Sequence, residues 1–158
     1  MDSAKLNDWM QVVGIFALVA SLIFVGLQIR QTYEIAIAAT YQARVATSVE
    51  MIASSAANER ALAAWNKPQT EGLDSLSPEE EWAGRQMALA LFFVYDNIHF
   101  QYESGFMTAD GWAAARLDIK GAMRVLFLRR YMNSRLEHMR PSFRAVIIEI
   151  DKELDAEE

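Results

Sequence analysis

Apolar positions in this chain fall into one long unbroken block, followed by several shorter sets at helical spacing. The block is residues 9–29, WMQVVGIFALVASLIFVGLQI, which contains no charged side chain. At a helical rise of ~1.5 Å per residue it is about 31 Å long, close to the hydrocarbon thickness of a bilayer. The next most apolar run, MALALFFVY at residues 87–95, stops at Asp96 and Asn97. That length suits a buried helix centre and is too short for a crossing. The pattern therefore predicts a single span.

Past the span, Ile37, Tyr41, Val45, Val49 and Ile52 recur at helical spacing in a stretch without glycine or proline, predicting an amphipathic stalk over residues 30–57. A short helix over residues 59–66 is expected next, then a loop at KPQTEG, residues 67–72. Ser77-Pro78-Glu79-Glu80 reads as a helix start, with Ser77 as N-cap, Pro78 in the first turn and Glu80 closing a capping box. That helix should end at Ser104, with Gly105 in the left-handed conformation. Thr108 caps the following helix, whose apolar face is Trp112, Ala115, Ile119, Ala122 and Met123. A break is expected between Arg124 and Arg130, and Arg140-Pro141 opens a last helix reaching Leu154. The expected organisation is an N-terminal tail (1–8), a transmembrane helix (9–29), a helical stalk (30–57), a helical bundle (58–154) and an acidic tail (155–158). The fold class is all-α.

Composition narrows the chemistry. The chain has no cysteine and two histidines, His99 and His138, so disulfides, thiolate metal sites and cysteine nucleophiles are excluded. A net charge of −6 argues against nucleic acid as a partner. Seven glycines and three prolines among many alanines and leucines favour helices. The segment before the block, MDSAKLND, is not the basic n-region of a signal peptide, and the block exceeds the ordinary h-region, so a retained anchor is expected. Asp8 reads as its N-cap, with Gln11 at the capping-box position and Trp9 at interfacial depth. Arg30 and Arg44 on the far side give a slight charge bias, consistent with the C-terminal domain in the cytoplasm.

Three sets of residues are candidates for function. Within the span, Gln11, Gly14, Ala17, Ser21 and Gln28 form a stripe of small and amide side chains suited to packing against another membrane helix. The same stripe would admit a narrow pore, although Leu18 and Val25 on that seam make it dry. Asp96, His99 and Glu103 share one helix face and are weak candidates for metal ligation, since a di-iron bundle needs a carboxylate-x-x-His pair twice and the chain supplies one. Arg116, Lys120, Arg124, Arg129 and Arg130 belong to a region, residues 116–144, with eight Lys and Arg against Asp118 and Glu137. That region would suit an anionic membrane surface, a phosphate or an acidic partner, or form a solvated face salt-bridged to Glu79–Glu81 or to the acidic C-terminus. No nucleophile, zinc-protease or phosphate-loop motif occurs, and neither an enzymatic activity nor a cofactor is expected.

Taken in order, SLIFVGLQIRQT (21–32), LSPEEE (76–81), DNIHFQYESGFM (96–107), Trp112 and PSFRAVI (141–147) resemble an uncharacterised group of short, single-span bacterial membrane proteins with a C-terminal helical domain. The resemblance implies the architecture and a bacterial inner membrane; the group has no established activity, so no site residues follow from it. The group commonly carries Glu-Asn where this chain has Asp96-Asn97, and a tryptophan in the region of residues 131–138, which has none here. The function expected from these readings is a membrane-anchored scaffold or accessory subunit, oligomeric or part of a membrane complex. A small channel, or a metal- or ligand-binding enzyme or sensor, are the alternatives.

Overall fold

The computed structural model describes residues Ser3–Glu157. Among them are six α-helices and no strand: α1 (Ser3–Ala56), α2 (Glu59–Glu71), α3 (Pro78–Glu103), α4 (Ala109–Met123), α5 (Leu126–Ser134) and α6 (Pro141–Asp155). Two short 3-10 turns, Leu73–Ser75 and Leu136–His138, join α2 to α3 and α5 to α6. The chain divides into two compact units, Met1–Tyr41 and Gln42–Glu158.

The first unit is helix alone. Its most apolar 18-residue window has a mean hydropathy of 2.5 and none of it is buried, so α1 is long and apolar enough to cross a membrane. Asp8 is not its N-cap: helical structure begins at Ser3, leaving Asp8 in the second turn. Nothing in Ala4-Lys5-Leu6 opposes helix, so the start moves upstream of the capping residue that the sequence offered.

In the second unit the caps fall where local chemistry places them. Ser77 accepts from the Glu80 amide at 3.2 Å while Glu80 accepts from the Ser77 amide at 2.9 Å, closing the capping box. Glu80 also accepts from Lys67 Nζ, a contact that ties α2 to α3, and the Lys67 and Ser77 bonds hold its carboxyl below the usual range. At the other end of α3 the Phe106 and Gly105 amides donate to Gln101 and Tyr102 carbonyls, at 2.8 and 3.1 Å, with Gly105 at φ +79°. Only glycine takes that left-handed turn without a steric cost. Thr108 caps α4 through the Gly111 amide, the break after α4 falls at Arg124–Val125, and Pro141 opens α6. Asn58, followed by Glu59, caps α2 in the same way and had not been read as a cap.

The expected loop at residues 67–72 is a correction. α2 continues through Lys67-Pro68-Gln69-Thr70 to Glu71, with Pro68 buried inside it. A proline there forfeits the hydrogen bond to the Ala64 carbonyl, which ordinarily ends a helix. Packing outweighs that loss, because α2 lies against α3 and α5 with Ala61, Ala64 and Pro68 on its buried face. At this crossing Gly84 of α3 is obligatory: a Cβ on it would lie 2.5 Å from Ala64 Cβ and 2.9 Å from the Phe127 ring.

The core is one cluster drawn from α2 to α6, including Ala88, Leu91 and Phe92 of α3, Ile119 and Met123 of α4, Phe127, Leu128 and Met132 of α5, and Phe143, Ile147, Ile150 and Leu154 of α6. Ile119 and Met123 confirm the apolar face foreseen for α4. Of the apolar stripe read for the stalk, Ile37 is partly buried while Tyr41, Val45, Val49 and Ile52 are exposed; Arg44, Ser48, Met51 and Ser55 are the partly buried positions of the last turns of α1. Arg44 Nη1 donates to Gln101 Oε1 of α3 at 2.7 Å, and Met51 packs against the core, so the last turns of α1 meet the bundle through both a polar and an apolar contact.

Candidate functional site

Asp96, His99 and Glu103 share a face of α3, as their spacing requires, and what meets them is Arg140, the residue that precedes Pro141 at the start of α6. Arg140 Nε donates to Asp96 Oδ1 at 3.0 Å, Nη1 to Glu103 Oε2 at 2.6 Å, and Nη2 to the Asp96 carbonyl at 2.9 Å. Nη2 also lies 3.5 Å from His99 Nδ1. Glu103 Oε2 stands at the same 3.5 Å from that nitrogen, so His99 Nδ1 lies between a donor and an acceptor. The guanidinium carbon stands 5.3 Å over the Phe100 ring.

His99 is 5 % exposed, its ring 4.9 Å from Trp112 and 5.6 Å from Phe143, and Trp112 in turn stacks on Tyr102 at 5.3 Å. Burial pushes the imidazole pKa down, with Glu103 acting in the opposite direction. The Ser142 hydroxyl and the Arg140 guanidinium hold the Glu103 carboxyl below its usual range. The carboxylates that would have bound a metal are therefore matched by a cation the chain itself provides. Among the described residues no group of three or more His, Asp or Glu is arranged to hold a metal ion. The helix sets which residues share a face, but the approach of α6 sets what they bind. The stretches 96–107, Trp112 and 141–147 thus meet in one junction that fastens α3 to α4 and α6.

The basic stripe has the same fate. Arg116 pairs with Glu149 and Glu153, Lys120 with Glu153 at 2.8 Å and Glu157 at 2.7 Å, and Arg124 with Glu157. Both series advance by four residues, so α4 and α6 run in the same direction with their charges interleaved. Arg129 of α5 pairs with Asp151 and Asp155. Hydrogen bonds from Arg116 and Lys120 draw the Glu153 pKa down to about 2. Four of the five candidate cations are thereby neutralised within the bundle and form an ion-pair ladder between its helices. Arg130 is exposed and borders, with Arg85, Phe127 and Tyr131, a depression of about 190 Å³.

In α1, Gln11, Gly14, Ala17, Ser21 and Gln28 are all exposed, and a Cβ on Gly14 would touch nothing within 4 Å. Among the described residues none covers this stripe.

One concavity has no counterpart in the sequence reading. A groove of about 510 Å³ runs between the last turns of α1, the start of α2, and α3, lined mainly by apolar atoms of Met51, Ala83, Met87, Ala90, Phe93 and Val94. Its polar side chains are those of Thr47, Glu50, Ser54, Ser55, Asn58 and Gln86. It holds no cluster of titratable groups and so offers shape and apolar surface without acid–base chemistry. With this geometry in view, comparison with known proteins adds no assignment: no protein-family model matches the chain, and neither does any curated protein or solved structure.

Proposed function

We propose that this protein is a single-pass, membrane-anchored helical scaffold or accessory subunit that acts through protein–protein contacts and works as an oligomer or within a membrane complex. The observation that carries this reading is an asymmetry in how the second unit spends its surface. Its polar clusters, at Arg140 and along α4 and α6, are satisfied internally. Its large apolar side chains, in contrast, stay exposed on α1 and α3 beside the apolar groove. Surfaces of that kind mark contact sites more often than catalytic ones. The reading places α1 in a bacterial inner membrane with lipid around it, the bundle in the cytoplasm, and Gln11, Gly14, Ser21 and Gln28 against another span, where amide and hydroxyl groups gain partners that lipid lacks. Neither a cofactor nor nucleic acid is part of it.

Native mass spectrometry of the full chain from nanodiscs tests the proposal. The expected spectrum contains more than one copy, or one copy with a stoichiometric second protein. A purified monomer without a companion would refute it. Attachment of a fluorescent protein to each terminus in turn, with protease access from either side, tests the orientation.

A further inference from the structure

Among the described residues that line the groove between α1, α2 and α3, Glu50 alone is ionisable. The carboxylates of the α3–α6 junction and of the ion-pair ladder each meet a Lys or Arg of the chain. Glu50 meets none among the described residues, and its carboxylate makes no hydrogen bond there either. Three of the groove's other polar side chains are spent on their own helices. Thr47 Oγ1 donates to the Ala43 carbonyl at 3.0 Å, Ser55 Oγ donates to the Met51 carbonyl at 2.7 Å, and Asn58 Oδ1 accepts from the Ala61 amide at 3.1 Å. What faces an occupant is therefore an apolar wall, with Met51, Met87, Phe93 and Val94 in it, and one unmatched negative charge.

We propose that this groove binds an organic cation, an apolar body carrying a quaternary or resonance-spread positive charge. The body lies against Met51, Met87 and Phe93, and the charge stands beside Glu50. Size permits it: about 510 Å³ falls within the ~300–1,000 Å³ of small-molecule sites, which are likewise mostly apolar with a few placed polar groups. Charge selects the class. A compact, strongly hydrated ion would exchange water for apolar side chains and a single carboxylate, which does not offset its desolvation. An organic cation has less hydration to lose, and an aromatic ring such as Phe93 attracts it through its quadrupole. The thioethers of Met51 and Met87 are polarisable and adapt to its shape. An anion would meet Glu50 with no cation on the wall. Arg60 and Arg44 stand in the depressions adjoining the groove, Arg60 in one that also holds Glu79, and Arg44 donating to Gln101 Oε1. The chain's net charge of −6 draws cations rather than anions towards it.

This inference is independent of the oligomeric reading, because every residue it uses belongs to one copy of the second unit. The test uses tetraphenylphosphonium and tetraphenylborate, which share a shape and differ in sign. With the full chain in zwitterionic nanodiscs and carbon-13 in the methionine methyls, tetraphenylphosphonium should shift the Met51 and Met87 signals saturably. The core methionines Met123 and Met132, both 0 % exposed, should stay unmoved. Tetraphenylborate at equal concentration should leave all four in place. Glu50→Gln should raise the Kd for tetraphenylphosphonium about fivefold, the upper worth of an exposed ion pair. In about 0.5 M salt the wild-type chain should lose most of that advantage. Ala90→Trp, at an exposed position on the groove wall, should abolish the shifts while far-UV circular dichroism is unchanged. Should that variant not fold, the pair of ions and Glu50→Gln decide the matter alone. Equal shifts from both ions, or an unchanged Kd in Glu50→Gln, would show a groove indifferent to charge and overturn the proposal. Absence of a saturable shift at millimolar tetraphenylphosphonium would overturn it as well.

Discussion

Replacing Arg140 by methionine removes the centre of the α3–α6 junction while preserving an apolar stem of similar length. Three charge-assisted hydrogen bonds disappear, two to Asp96 and one to Glu103. Hydrogen bonds to charged groups contribute ~1.5–3 kcal/mol each when shielded. Arg140 and Glu103 side chains are 34 % and 36 % exposed, however, so water recovers much of what Glu103 loses. Asp96 is less exposed and recovers less. The net destabilisation expected is about 2–3 kcal/mol, or a fall in Tm of roughly 8–12 °C for a bundle of this size. Arg140→Lys, which keeps the charge but loses the planar fork, should lie between the two. Near-ultraviolet circular dichroism of the full chain in nanodiscs reads the transition through Trp112 and Tyr102, which stack beside the junction. The cation also depresses the His99 pKa, so its removal should raise the imidazole titration midpoint seen by NMR. A Tm change below about 2 °C with an unmoved His99 titration would show that the guanidinium is not what holds the junction.

Acid stability should fall in two stages. His99 has a lowered pKa in the fold, so the unfolded chain binds its proton more readily; stability is full above the unfolded value of ~6.5 and is lost as pH drops through it. His99→Gln should flatten the fall in chemical denaturation midpoint that begins below about pH 6.5, with the later loss, as Glu153 and Glu103 protonate below ~4.5, retained. Gly84→Ala should destabilise by ~1–3 kcal/mol in urea melts despite the helix preference of alanine, because its Cβ meets Ala64 and Phe127. Gly121→Ala, with open space around it, should instead stabilise by ~0.5–1 kcal/mol. Glu153→Gln removes the shared partner of Arg116 and Lys120 and should lower Tm at low ionic strength, less so in about 0.5 M salt; an equal effect at both would show that the ladder is not electrostatic.

The starts of α3, α4 and α6, the turn at Gly105 and the length of the apolar helix were all legible in the sequence. Each depends on a few consecutive residues: a side chain satisfying an amide three positions on, a proline in a first turn, a glycine in the left-handed region, a count of apolar positions. Other features needed the fold, because they join residues far apart. The helical state of Lys67-Pro68 was decided by burial against α3 and α5. The contact of the last turns of α1 with α3 joins Arg44 to Gln101, 57 positions away, while Val45, Val49 and Ile52 stay exposed. Asp96, His99 and Glu103 have the donor chemistry of a metal site, and only the arrival of Arg140, 37 positions beyond Glu103, converts it into a junction. The stripe at Arg116, Lys120 and Arg124 was likewise readable as positive, with Glu79–Glu81 or the acidic C-terminus as its expected partners; only the fold singles out Glu153 of α6 and Glu157 just beyond it. The sequence by itself determined an all-helical chain with one helix able to span a membrane, because backbone hydrogen bonding and apolar length are local properties. Tertiary structure alone decided which charges are neutralised and which aromatic rings are left facing outward, because both depend on what each helix packs against.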